Sequence, residues 1–149
     1  MTKLDRQLAT LFRMARWPQS AGRPVCPKCY DGADVKPEPE KQRKSRPEVG
    51  TYFCQCCVTR FTDCSGTGLA HSTQPLRAWA LALLVVNGIP TEYATSGYRY
   101  RDLGLPLVIL NRMRAVWKGN EQLGRRWRAE LNDAGISLLS LICACKRSA

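Results

Sequence analysis

Cys26-Pro27-Lys28-Cys29 and Cys54-Gln55-Cys56-Cys57 are the stretches whose reading decides the fold of this chain. Each is a Cys-x-x-Cys pair, and 24 residues separate Cys29 from Cys54. One pair closes a tight knuckle offering two thiolates, and two knuckles can surround a single ion with four, the usual donor set of structural zinc. A lone pair would say little, because redox motifs share it. The expected zinc ligands are Cys26, Cys29, Cys54 and Cys57. Cys56 is set aside because the two-residue gap, with Tyr52 and Phe61 on either side, favours the outer pair.

Working outward, Tyr52-Phe53 before the second knuckle and Arg60-Phe61-Thr62 after it suit short strands packed over the metal site. In so small a unit the metal stands in for the core that the residues cannot build. Residues 31–50 hold Pro37, Pro39, Pro47 and the charge run Lys41-Gln42-Arg43-Lys44-Ser45-Arg46. That composition reads as a long solvated loop, with phosphate contact as its secondary role. Upstream, residues 3–17 read as an amphipathic helix stopped by Pro18. Leu4, Leu8, Leu11, Phe12 and Ala15 form its apolar stripe, while Lys3, Arg6, Arg13 and Arg16 face away.

Downstream of Gln74 the pattern becomes helical. Pro75 suits a helix start, Leu76 to Val86 carries an apolar stripe, and Asn87-Gly88 stops it. A further turn begins at Pro90 and is interrupted at Gly97. Leu107 to Lys118 follows as a helix, then residues 120–132, then an apolar tail from Ile136 to Cys145 that either docks on the core or serves a partner. Three successive helices ending in a basic one suggest a helix-turn-helix. Against that, Leu107-Val108-Ile109-Leu110 is apolar where a recognition helix presents polar groups, and its β-branched residues also fit a strand. Backbone contact is therefore the expected mode, through Arg99, Arg101, Arg112, Arg114, Lys118, Arg125, Arg126 and Arg128. The expected architecture is α+β, mainly α: an N-terminal helix in 1–23, a zinc ribbon in 24–73 and a helical region in 74–149.

Charge supports that partner. The 149 residues carry 23 Lys and Arg against 12 Asp and Glu, a formal charge of +11, with a sequence pI near 9.6. Such a surplus favours polyanions, most often nucleic acid. The start has no secretory leader and the longest apolar run, Ala78 to Val86, is far short of the ~20 residues that span a bilayer. A cytoplasmic, membrane-free protein is expected, where cysteines bind metal rather than pair as disulfides.

The string Tyr52-x-Cys54-x-x-Cys57-x-x-x-Phe61, followed by Ser65-Gly66-Thr67, Ser72 and Pro75-Leu76-x-x-Trp79, resembles the N-terminal zinc-ribbon region of bacterial insertion-sequence transposases. The resemblance spans roughly residues 24–118 and is specific over 52–79. It implies a ribbon and helix-turn-helix that hold double-stranded transposon-end DNA, as a transposition accessory or a transcriptional regulator. Two departures stand out: Val58 where such knuckles favour Gly, and a long interval from Gly88 to Gly104. With about 45 residues after Asp102, no nuclease domain of the family is expected, and Asp102, Glu121, Glu130 and Asp133 do not make an acidic triad.

A catalytic role is not expected. His71 has no partner for general-base work, and Cys56, Cys64, Cys143 and Cys145 read as free thiols rather than a second site. The alternative to DNA binding is an adaptor that takes a protein partner, or a second copy of the chain, on its ribbon and apolar tail.

Overall fold

In a computed structural model, described here for residues 1–147, the chain divides into two compact units, Met1–Leu76 and Arg77–Ala149. It is α+β and mainly helical, with one small antiparallel sheet among the described residues.

The first unit opens with α1 (Lys3–Arg16). Thr2 and Asp5 form a reciprocal capping box, the Thr2 hydroxyl accepting from the Asp5 amide at 3.1 Å and the Asp5 carboxylate from the Thr2 amide at 3.0 Å. Of the predicted stripe Leu8, Phe12 and Ala15 are buried and Leu4 and Leu11 half-buried, Ala9 joins the buried face, and Pro18 ends the helix in a 3₁₀ turn. Three strands follow: β1 (Val35–Pro37), β2 (Thr51–Cys54) and β3 (Thr59–Thr62), ordered β1-β2-β3 and antiparallel throughout. Val35 lies opposite Cys54, Tyr52 opposite Phe61, and Cys54 opposite Thr59. The second knuckle is the hairpin turn between β2 and β3.

Two expectations about this unit are corrected. Residues 31–50 are not simply a solvated loop: they contribute β1 to the sheet and return to the core at Arg46, Glu48 and Val49, all buried. Arg46 is only 3% exposed, and its guanidinium donates to the Leu69 carbonyl at 2.8 Å, the Ser72 carbonyl at 2.5 Å and the Cys64 sulfur at 2.8 Å. Glu48 accepts from the Leu76 amide at 2.9 Å. The irregular 64–75 segment has no strand or helix to satisfy its carbonyls, and one delocalised cation with five donors serves several at once. Arg46 is thus unavailable to phosphate. Likewise Arg13 and Arg16 do not face away. Arg13 pairs with Asp63 at 3.1 Å, and Arg16 donates to the Ser65 carbonyl.

The second unit is built from α2 (Leu76–Leu84), α3 (Thr91–Thr95), α4 (Leu107–Lys118), α5 (Glu121–Asp133) and α6 (Leu138–Arg147). Ala78 through Leu83 are all buried, so α2 is apolar on every side and forms the centre of the unit. Trp117 is its largest packing element: its ring lies edge-on to Trp79 at 6.0 Å and tilted against Trp127 at 5.8 Å, and its indole N–H donates to the Trp79 carbonyl at 2.9 Å. Gly124 lets α5 approach closely, since a Cβ there would stand 3.1 Å from Leu83 and 3.3 Å from Trp117. Residues 107–118 are helical throughout, which removes the strand alternative. The chain is longer than a compact helix-turn-helix between α3 and α4, with a 3₁₀ turn at Tyr100–Asp102. The apolar tail is α6, and Leu138, Leu141, Ile142, Ala144 and Cys145 are buried.

Candidate metal centre and cationic surface

The two knuckles bring the sulfurs of Cys26, Cys29, Cys54 and Cys57 within 4.8 Å of one another. Cys29 and Cys54 are 3.7 Å apart. Four thiolates at about 2.3 Å from one tetrahedral ion stand about 3.8 Å apart, so the cluster has the dimensions of such a site. Among the described residues it is the only group of three or more Cys, His, Asp or Glu with metal-ligating proximity. Cys56, Cys143, Cys64 and Cys145 lie outside it, the first two exposed and the last two buried. His71 is exposed.

The local backbone explains the convergence. In the first knuckle the Cys26 amide donates to the Asp31 carbonyl and the Tyr30 amide to the Cys26 carbonyl, both at 2.9 Å. The Lys28 amide points at the Cys26 sulfur at 3.4 Å. The backbone N–H groups of Cys29 and Lys28 hold the Cys26 thiol down to about 7 against the opposing effect of burial. Cys57 moves the other way, pushed up by its hydrogen bond with Cys29, by burial and by the adjacent thiols. Anions this close repel, so the four cannot all ionise without a cation among them. The donor set, its size and this repulsion all fit a metal ion.

Each knuckle ends on a residue in the left-handed region, Tyr30 at φ 57° and Val58 at φ 53°. This is where the sequence departs from the expected glycine. A β-branched residue there costs about 1–2 kcal/mol of strain, and Val58 recovers little by packing, since it is 75% exposed. Val58→Gly is therefore expected to stabilise the unit by about 1 kcal/mol after the entropy cost of glycine. A denaturant midpoint that falls in the variant would refute this account.

Above the thiols, Tyr52, Cys54, Phe61 and Cys26 form a small core with Trp17 packed against it. Trp17 stands edge-on to Tyr52 at 6.2 Å and to Phe61 at 6.4 Å. Fully buried Asp63 ties the layer together. It accepts from the Tyr52 hydroxyl and the Gly50 amide, each at 2.6 Å, as well as from Arg13. Burial pushes the Asp63 carboxyl up, opposed by the Tyr52, Arg13 and Gly50 donors. A Cβ at Gly50 would collide with the Tyr52 hydroxyl, so the turn needs glycine. Neither Asp63 nor Arg46 was foreseen, because their partners lie 50 and 26 residues away at most and carry no local signal.

The eight cations expected to meet phosphate separate into two groups. Arg99, Arg101, Arg112, Lys118, Arg125 and Arg126 are exposed. Arg125 stands 3.6 Å from Glu121, but that pair is at the surface, where such pairs contribute little. Arg114 and Arg128 are half-buried and structural. Arg128 donates to the Leu83 carbonyl at 2.5 Å and Arg114 to the Val86 carbonyl at 3.3 Å, while Arg114 also lies over the Tyr100 ring at 4.7 Å. The Leu83 carbonyl lies in the last turn of α2, which has orphan acceptors and a partial negative charge, and Val86 lies two residues past its end. Two arginines from α4 and α5 satisfy it.

No family model matches the chain, and neither a curated protein nor a solved structure matches it. No helix among the described residues is long and apolar enough to cross a membrane.

Proposed function

We propose that the chain is a zinc-ribbon protein that binds double-stranded DNA, chiefly through the phosphate backbone, as a transposition accessory or a transcriptional regulator. Zinc is the ion whose coordination preference best suits four thiolates in a closed tetrahedral set. It would be held by Cys26, Cys29, Cys54 and Cys57 and would order the ribbon without entering any reaction.

The observation that carries the DNA reading is the charge of the helical unit. From Arg77 onward, 11 Lys and Arg stand against 5 Asp and Glu, and the six exposed cations named above are free of the structural duties that occupy Arg114 and Arg128. If those six neutralise one phosphate each, log affinity for a duplex falls with log salt at a slope of about −5. Fluorescence anisotropy of a labelled duplex between low and physiological salt measures it. A flat titration would contradict the proposal. The adaptor alternative has less behind it, because most of the apolar tail is already buried.

A further inference from the structure

The helical unit has a cleft of about 170 Å³ beside its tryptophan core. The floor is apolar: Leu83 near the end of α2, Val86 just past it, and Trp117 of α4. Gly124 of α5 completes the lining without a side chain. An apolar cavity of ~150 Å³ takes up a benzene molecule, so this volume suits one flat ring. The walls differ in character. Lys118 at the end of α4 and Arg125 and Arg128 of α5 border the cleft, and Glu121 is the single acidic group in its lining. Three cations against one carboxylate leave a local surplus of two positive charges. Arg128 spends an N–H on the Leu83 carbonyl at 2.5 Å and contributes mainly charge. Arg125 is 3.6 Å from Glu121, too far for a hydrogen bond, and Lys118 is exposed, so both have donors to spare. An apolar floor under convergent cations suits an anion with an apolar body. Bare phosphate on a DNA backbone would gain nothing from that floor.

We infer that this cleft binds a small phosphate monoester carrying one flat ring. The ring would lie on Leu83, Val86 and Trp117, and the phosphate would sit at the mouth against Lys118 and Arg125. Such a group carries a charge of about −1.5 to −2 near neutral pH, which matches the surplus of the walls. A carboxylate would compensate half of that surplus and a neutral ring none of it. Lys118 and Arg125 are also two of the six cations assigned above to duplex phosphates. An occupied cleft withdraws both, so the small ligand and the duplex compete for them. That consequence rests on the DNA-binding reading, whereas the site itself does not. With four contacts left of six, the salt slope for a duplex should move from about −5 to about −4. The ligand would thus act as a brake on duplex binding, set by its own concentration.

Amide NMR of the full zinc-loaded chain, titrated with phenyl phosphate at constant ionic strength, tests the site. The Gly124 amide and the Trp117 indole N–H should shift and saturate. Inorganic phosphate, which lacks the ring, and phenol, which lacks the charge, should each bind about tenfold more weakly or worse. Lys118→Ala and Arg125→Ala should each lose about tenfold in phenyl phosphate affinity. Arg147→Ala removes the same charge from the exposed end of α6 and should bind as the native chain does. Lys118 and Arg125 are exposed, so their variants should keep the native circular dichroism. Inorganic phosphate binding as tightly as phenyl phosphate would overturn the inference. So would an affinity that ignores both cleft variants, or shifts that spare Gly124 and Trp117. A duplex affinity and salt slope unmoved by saturating phenyl phosphate would remove the competition and leave the site. A saturable cleft with no duplex binding at all would remove the proposed function and leave the site.

Discussion

Replacing Cys26 with serine is expected to unfold the ribbon. The four sulfurs converge within 4.8 Å from two knuckles that share no continuous strand or helix. Little else can hold them, because the local core is a few aromatic rings over the thiols. A structural zinc ion contributes about 10–16 kcal/mol of apparent folding free energy. A unit of 76 residues has only about 4–11 kcal/mol of net stability in total. Loss of the ion therefore exceeds what the rest of the unit can supply. Amide chemical shifts of residues 35–62 should collapse toward random-coil values in the variant, and chelation of the native protein should do the same. Elemental analysis of the purified native chain should return one zinc per molecule. A metal-free preparation with dispersed ribbon amides and an unchanged melting curve would eliminate the metal-centred account.

Trp117→Ala should be the most damaging single change in the helical unit. The side chain is 2% exposed, meets two other indoles and donates to the Trp79 carbonyl. Truncating a buried Trp to Ala costs about 3–5 kcal/mol through lost transfer energy and the cavity left behind, a large share of what a unit this size possesses. Trp117→Phe separates packing from the polar contact. It keeps most of the ring and should cost about 1–2 kcal/mol, from the lost hydrogen bond and reduced volume. Urea unfolding followed by far-ultraviolet circular dichroism measures both. If the alanine variant lost less than the phenylalanine variant, Trp117 would not be the centre of this core.

Much of the fold was legible because its signals are local. Pro18 stops α1, and Gly135, at φ 71°, follows α5 closely, the kind of chain punctuation that local sequence carries. The apolar stripe of α1 became its buried face. The four-sulfur cluster followed from spacing too, since a Cys-x-x-Cys knuckle can place its two sulfurs without knowing what lies elsewhere. Cys56 illustrates the point: it falls between two members of the cluster in sequence, yet it is exposed to solvent.

The roles of the charged residues were not legible in the same way. Arg13, Arg16, Arg46, Arg114 and Arg128 all read as solvated or phosphate-facing cations, and all five are engaged with the protein itself. Four of them donate to backbone carbonyls, either in the irregular segment after β3 or at and just past the end of α2. Which carbonyls remain orphaned depends on which elements pack together, and that information is spread over separations such as the 45 residues between Leu83 and Arg128. Composition counts an arginine as charge; only packing decides whether that charge is spent inside.

By itself, then, the sequence determined the four-thiol cluster, the approximate bounds of α1, α4 and α5 and the surplus of positive charge, because each depends on neighbours along the chain. Tertiary structure alone decided which cations are free and which way α4 faces. A helix with Leu107-Val108-Ile109-Leu110 at its front has apolar residues on all sides, and only tertiary packing assigns Leu110 to the core and leaves Val108, Asn111 and Arg112 outside.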